Sequence, residues 1–534
     1  MGHNETELHF DEWLQRYLAG ALPLLTRHAE AWWRVNTAGG KDSEKELGQS
    51  EEALRRYLAD ADRYAALKKI PRQQIEAPLP ARQYDVLRNY LERHQTDETI
   101  LRRLVALLVE VESEYTKFRS TLDGKEVADN ELKEILRKTS DSESARAAWE
   151  ASKQIGPRVA ERVLELVELR NQSARALGYD NFHEMSLTLK ELPPESLFQL
   201  LERLADATLE PFREIKADFD SRLARKFGIA ASELRPWHYG DPFFQSTPQT
   251  GEVDLDQFYA GKDLEQLTRR FYTGIGLDID DVLGRSDLYE RQGKCQHAFC
   301  THIDRCGDVR VLCNLRGDEQ WMATMLHEFG HAVYDKYLDM DMPISLRQPA
   351  HTLTTEAIAM LFGRLSQHSD FLVKIAGIER DEADAVASRA REELRRNELV
   401  FVRWALVVVR FEQELYRDPG QDLNGLWWSL VEKYQELTPP EGRDTPDWAA
   451  KIHIATVPVY YQNYVLGELT ASQLQHHLLT KTLGGASSLV DQPAVGAFLR
   501  ENVFLPGARY PWNELIEHAT SEELDPRYFI EEFA

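Results

Sequence analysis

A chain of 534 residues, 43% hydrophobic and 29% charged, is long enough for a large buried core and for more than one compact unit. Its net charge of −25 argues against nucleic acid or an anionic membrane as the main partner, because both are bound through cationic patches. No apolar run reaches the length of a bilayer span. The opening MGHNETELHFDEWLQ lacks the cationic start and apolar centre of a secretory signal, so a cytoplasmic location is expected.

In chain order, the first 230 residues read as amphipathic helices and hold little glycine. ELVELRNQSARAL (165–177) and LFQLLERLADATLEPFREI (197–215) each carry apolar residues at three-four spacing and predict a helix. RPWHYGDPFFQSTPQTGEVD (235–254) is a long connection rich in Pro, Gly and aromatic residues, a type that often carries function. KCQHAFCTHID (294–304) and DVRVLCNL (308–315) flank RCG and predict a β-hairpin. The only cysteines, Cys295, Cys300, Cys306 and Cys313, fall there without a CxxC pair, and free thiols are expected. EQWMATMLHEFGHAVYDKYLDM (319–340) predicts a helix capped by Asp318, with Met322, Met325, Leu326, Phe329, Val333 and Tyr337 on its apolar face. HTLTTEAIAMLFGRL (351–365) predicts a second helix with Glu356 in its first turn, after capping threonines. LVFVRWALVVVRF (399–411), which contains Arg403 and Arg410, reads as a buried helix. The acidic C-terminal EELDPRYFIEEFA suggests no role.

The chemistry concentrates at HEFGH. On a helix His327 and His331 are four apart, so both imidazoles project to one side and can grip one zinc ion. Glu328 is rotated by about 100° from His327, beside a metal rather than on it, where it can take a proton from water. Catalytic zinc usually has a third protein ligand and one open position. The position six after His331 is Tyr337, and the position nineteen after it is Ala350, so two common patterns for that third ligand are absent. Glu356 is the only glutamate between Glu328 and Glu379, and two antiparallel helices would bring it to the histidines.

His327, His331 and Glu356, with Glu356 twenty-five positions after the second histidine, resemble the zinc site of the gluzincin dipeptidyl carboxypeptidases and oligopeptidases. The resemblance to the angiotensin-converting enzyme family runs along nearly the whole chain. It is carried by HAEAWWRVNT (28–37), AAWEASKQIGPRVAERVLELVELRNQSARALGY (147–179), PISLRQPAHTLTTEAI (343–358) and WWSLVEKYQELTPPEGRDTPDWAAKIHI (427–454). The hairpin, HAFCTHIDRCGDVRVLCNLRGD, is more similar to thimet oligopeptidase and oligoendopeptidase F.

The resemblance implies a mainly α fold of two helical lobes around a deep substrate channel, with a small β-sheet next to the zinc helix. The expected parts are a helical 1–290, a 291–480 that holds the zinc site and substrate-binding residues, and a helical 481–534. It implies one Zn2+ per chain on His327, His331 and Glu356, with Glu328 as general base. His453 would hydrogen-bond the substrate backbone, and Lys451 would bind the substrate's terminal carboxylate. YYQNY (460–464) corresponds to two tyrosines three apart. With one residue inserted after KIHI, Tyr464 donates to the oxyanion and Tyr461 helps hold the carboxylate; without it, Tyr460 takes the latter role. His297 and Ala298 would lie on a strand that pairs with the extended substrate. His351, near Glu356, is a candidate to support the metal ligands. Asn463 stands where the family has a chloride-binding arginine, and Met360 where an aspartate supports the ligands. No residue matches the glutamine that helps bind the carboxylate; Gln257 is close but out of register. Expected partners are short peptides, with the chain a monomer or homodimer. The expected activity is release of C-terminal dipeptides. Internal cleavage, or a silent peptide-binding relative, are the alternatives.

Overall fold

The computed structural model describes residues 5–248 and 254–534; positions 249–253 of the 235–254 connection lie outside the described residues. The fold is mainly α, with two two-stranded antiparallel sheets among the described residues. No described helix is long and apolar enough to cross a membrane. The chain divides into two compact units. The first comprises Met1–Gln95, Val253–Arg391 and Leu466–Tyr528; the second comprises Thr96–Glu252, Glu392–Val465 and Phe529–Ala534.

In the second unit, the stretch 197–215 is two helices, not one. Pro194–Ala207 stops at Thr208, and Leu209–Phe227 begins at once. Pro211 explains the break: it has no N–H to give the preceding turn, but is harmless in the first turn of a new helix. The run 399–411 is the buried centre of the helix Arg380–Arg417. Arg403 is tolerated there because its guanidinium donates to the carbonyls of Tyr434 (2.6 Å) and Ala205 (2.7 Å). A small hairpin escaped the sequence reading: β1 (Ser120–Leu122) pairs with β2 (Lys125–Val127) across Asp123-Gly124, both at positive φ as a tight primed turn demands.

In the first unit, β3 (Phe299–His302) pairs with β4 (Val309–Leu312) in the register Phe299↔Leu312 to His302↔Val309. The strands are shorter than predicted because residues before Phe299 are anchored elsewhere. The buried Lys294 ammonium meets the Asp287 carboxylate at 2.8 Å and donates to the carbonyls of Asp287, Tyr289 and Cys313. The Cys295 N–H donates to Asn36 O at 2.8 Å, at the end of the helix Glu5–Ala38. Trp32 and Trp33 of that helix pack on Phe299, with ring centroids 4.2 and 6.1 Å away. The sequence block HAEAWWRVNT thus braces the hairpin.

The helix Glu319–Lys336 carries HEFGH, and Asp318 caps it by accepting the Trp321 N–H at 2.8 Å. Met322, Met325, Leu326, Phe329 and Val333 are fully buried, which fixes the rotation of the helix and turns both histidines to its other side. Tyr337 is only half-buried; its hydroxyl accepts the Asp278 N–H at 2.8 Å. The next helix, Thr352–Gly363, packs against this one at close range. A Cβ on Gly330 would lie 2.7 Å from Ala359 Cα, so the second residue of the HEFGH core that is not polar has to be glycine. The cap of Thr352–Gly363 is His351, whose Nδ1 accepts the Leu353 N–H at 3.0 Å; the threonines lie inside the helix, and Glu356 sits one turn further in than predicted.

Candidate active site

Two helices assemble the metal-ligating set. His327, His331 and Glu356 are the one group of three or more such side chains among the described residues whose ligand atoms lie within 4.8 Å of one another. Glu356 Oε2 is 3.8 Å from His327 Nε2 and 3.9 Å from His331 Nε2. Tetrahedral zinc bonds of about 2.0–2.2 Å to nitrogen and oxygen put ligand atoms about 3.3–3.6 Å apart, so a contraction of a few tenths of an ångström fits this set to zinc, and its three protein ligands leave the fourth position for water or substrate. Burial lowers the imidazoles to about 4 (His327) and about 3 (His331, with His327 adding to the effect), which leaves both neutral and able to offer a lone pair. His331 Nδ1 lies 2.7 Å from Thr355 Oγ1. His351 is occupied as a helix cap.

Glu328 is buried beside this set. Burial raises its carboxyl to about 8, the Glu356 charge adds to the rise, and the Cys300 N–H of β3 opposes it. Two carboxyl groups so close share a low-dielectric site comfortably only with a cation, which again suits a divalent metal. His297 and Ala298 lie just outside the strand they were expected to occupy. His297 is exposed and Ala298 is half-buried against the core; the anchoring of Lys294 and Cys295 pulls the chain out of the ladder before Phe299. All four cysteines are free.

A second cluster lies in the second unit. Lys451 is buried and surrounded by the rings of Trp404, Tyr461 and Phe243, with its ammonium 5.3, 5.5 and 5.7 Å from their centroids. Among the described residues it donates one hydrogen bond, to Gln245 Oε1 at 2.7 Å, and its ammonium has two further N–H donors. Gln245 is held by Asp241, whose carboxylate accepts its backbone N–H at 3.2 Å and its side-chain amide at 3.3 Å. Burial lowers Lys451 to about 8 against the opposing pull of Asp241. Tyr461 accepts from Trp404 Nε1 at 3.2 Å, so its own hydroxyl proton is left to donate. Its ring meets those of His453 (5.3 Å) and Tyr464 (5.5 Å) edge-on, whereas Tyr460 packs on Tyr464 (5.2 Å). His453 Nδ1 is buried with no hydrogen-bond partner among the described residues, and burial lowers the ring to about 4.

The register between His453 and these tyrosines is set at Val459, a buried β-branched residue at φ 53°, a conformation that opposes its side chain. Three bonds hold it there. Its N–H donates to Glu412 Oε1 at 2.9 Å, and its carbonyl accepts from Gln462 Nε2 at 2.8 Å and Lys190 Nζ at 3.1 Å.

Comparison with known proteins decides the family. A profile of the angiotensin-converting enzyme peptidases matches residues 4–235 and 249–534. The chain belongs to this family. Its members are zinc metallopeptidases. Angiotensin-converting enzyme of Rattus norvegicus is 25% identical over 445 residues, which cover 76% of this chain and 33% of that enzyme; the chain thus spans a third of that relative. The angiotensin-converting enzyme-like protein Ace3 of Mus musculus is 23% identical over 95% of this chain and 73% of its own length. Carboxypeptidase 1 of Bacillus subtilis is 26% identical over 50% of this chain and 56% of its own length.

Set against the family, three positions stand out. The family match skips 236–248, and that gap contains Gln245. Gln245 was not singled out in the sequence: nothing local marks it, and only its contact with Lys451 reveals it. Gln257 instead is exposed and donates to the Asp254 carbonyl. Asn463 is fully buried, with its Oδ1 unpartnered among the described residues. Met360 lies against the site: a Cβ on Gly467 would come within 3.1 Å of its sulfur and 3.3 Å of Glu356 Cβ.

Proposed function

We propose that this protein is a zinc peptidase that releases dipeptides from the free C-terminus of short peptides. The observation that carries the reading is the convergence of His327, His331 and Glu356 with Glu328 buried beside them. When bound, zinc would supply Lewis acidity that polarises the scissile carbonyl and acidifies the attacking water. Glu328 takes the proton of that water and hands it to the leaving amine. Tyr464 and His453 donate to the developing oxyanion, each such donor being worth about 3 kcal/mol in the transition state. His453 suits this as a neutral ring with an unused buried nitrogen.

Selectivity for the terminal carboxylate rests on Lys451, Gln245 and Tyr461. Among the described residues the Lys451 ammonium has one hydrogen bond, and three aromatic rings surround it. A carboxylate is the ligand that such a half-satisfied buried cation takes. Tyr461, the one of the adjacent pair whose ring lies on Lys451, adds a hydroxyl donor.

The test is mass spectrometry of products from short peptides with free and with amidated C-termini. Dipeptides released from the free termini alone are expected. Internal cuts indifferent to amidation would instead make the protein an oligopeptidase and leave Lys451 a structural residue.

A further inference from the structure

Resting on the zinc reading above, we propose that Thr355 is the positioning residue for the metal ligand His331. The nitrogen of His331 that faces Glu356 is Nε2, at 3.9 Å from the carboxylate oxygen, so Nε2 is the one that offers its lone pair to the ion. The ring proton then resides on Nδ1, and Nδ1–H donates to Thr355 Oγ1 at 2.7 Å. The bond selects the tautomer and fixes the rotation of the ring.

Several features make Thr355 suited to this. It is adjacent to Glu356, so one helical turn supplies both a ligand and the tether of another. Its β-branched side chain has few rotamers in a helix, which holds the hydroxyl still. A threonine in a helix usually turns its hydroxyl back to the carbonyl four residues earlier. Here that carbonyl, His351 O, already accepts from Thr354 Oγ1 at 2.8 Å and Thr354 N at 3.1 Å, and the Thr355 hydroxyl is directed at His331.

The second ligand has no equivalent. Among the described residues His327 has no hydrogen-bond partner at Nδ1; it is confined by packing, since a Cβ on Gly363 would lie 3.4 Å from His327 Cβ and 3.8 Å from Nδ1. Met360, at the position where a carboxylate would reach the ligands, is a thioether that accepts hydrogen bonds poorly. Of the two histidine ligands, His331 alone has a hydrogen-bonded tether among the described residues, and that tether is an uncharged hydroxyl. It orients His331 without the added basicity that a carboxylate partner confers.

The experiment is zinc binding by the full-length protein, measured by competition with a chromophoric chelator, and zinc release into excess chelator, for wild type, Thr355→Val, Thr355→Ser and Glu356→Gln. Melting of each metal-free protein is followed in parallel. Thr355→Val is expected to weaken zinc binding by about 10- to 100-fold, mainly through faster release, with the metal-free melting point unmoved. Thr355→Ser, which restores the hydroxyl, is expected within threefold of wild type. Thr355→Val within threefold of wild type overturns the proposal, as does an equal loss in Thr355→Ser, which would make the effect one of packing. If wild type binds no zinc, or Glu356→Gln holds it as tightly as wild type, the ligand set itself is wrong and both readings fall.

Discussion

The metal-ligating set and the Lys451 cluster are built by opposite means. His327, His331 and Glu356 come from two consecutive helices, and their geometry follows from helical period, one buried face and one close approach at Gly330. Lys451, Gln245, Trp404 and Tyr461 come from irregular segments and a long helix, far apart in sequence, and are held by side-chain hydrogen bonds, ring contacts and a strained residue. Groups that must hold an ion rigidly sit on regular backbone. The groups proposed to read the substrate sit where the chain can be adjusted, as binding residues on loops generally do.

If the two clusters divide chemistry from recognition, their variants must fail differently. Glu328→Gln should lower kcat by about 10³-fold or more while zinc content stays at the wild-type level; atomic absorption alongside turnover checks this, and full activity would break the mechanism. Lys451→Met should raise KM about 10- to 100-fold for peptides with a free C-terminus and leave amidated peptides unaffected, so the ratio of the two substrates is the measurement. The same lysine sets a pH limit. Its protonated form binds the carboxylate and its pKa is lowered to about 8, so kcat/KM for free peptides should fall as pH rises above about 8, and Lys451→Met should lose that limb. Gln245→Ala should show the same substrate selectivity as Lys451→Met with a smaller rise in KM, about 3- to 10-fold, because it removes one contact and leaves the ammonium in place.

The smallest effect concerns stability. Burial raises Glu412 to about 8 from an ordinary value of 4.5, against the Val459 N–H, which favours the ionised form. Between those values the folded chain holds a proton that the unfolded chain has lost, so this group's contribution declines as pH rises from about 4.5 to about 8. Glu412→Gln should flatten the fall in melting temperature across that window; an unchanged slope would show that Glu412 does not carry it.

The metal half was legible because its rules are local. The histidine spacing, the Asp318 cap and the scarcity of glutamates between Glu328 and Glu379 are all visible in the sequence, and each has its counterpart in the structure. The errors nearby concern termini: the hairpin begins later because Lys294 and Cys295 are anchored elsewhere, and Glu356 sits deeper because His351 is the cap. The Lys451 cluster was only half legible. Lys451 and the tyrosines were found through resemblance, but Gln245 depends on a contact across 206 positions in a stretch without periodicity. Thr355 was missed for another reason. A threonine in a helix is common, and only the direction of its hydroxyl sets it apart.

Val459 has a bearing on which tyrosine stands beside Lys451. Held in its left-handed turn by Glu412, Gln462 and Lys190, it fixes how many residues separate His453 from the tyrosines. Counted from His453, one residue added at this turn would hand the place of Tyr461 to Tyr460, whose phenol is chemically the same, whereas deleting Val459 would hand it to Gln462. Two tyrosines side by side thus give that place a spare when the turn grows by one residue, while a shortening at the same point exchanges a phenol for an amide.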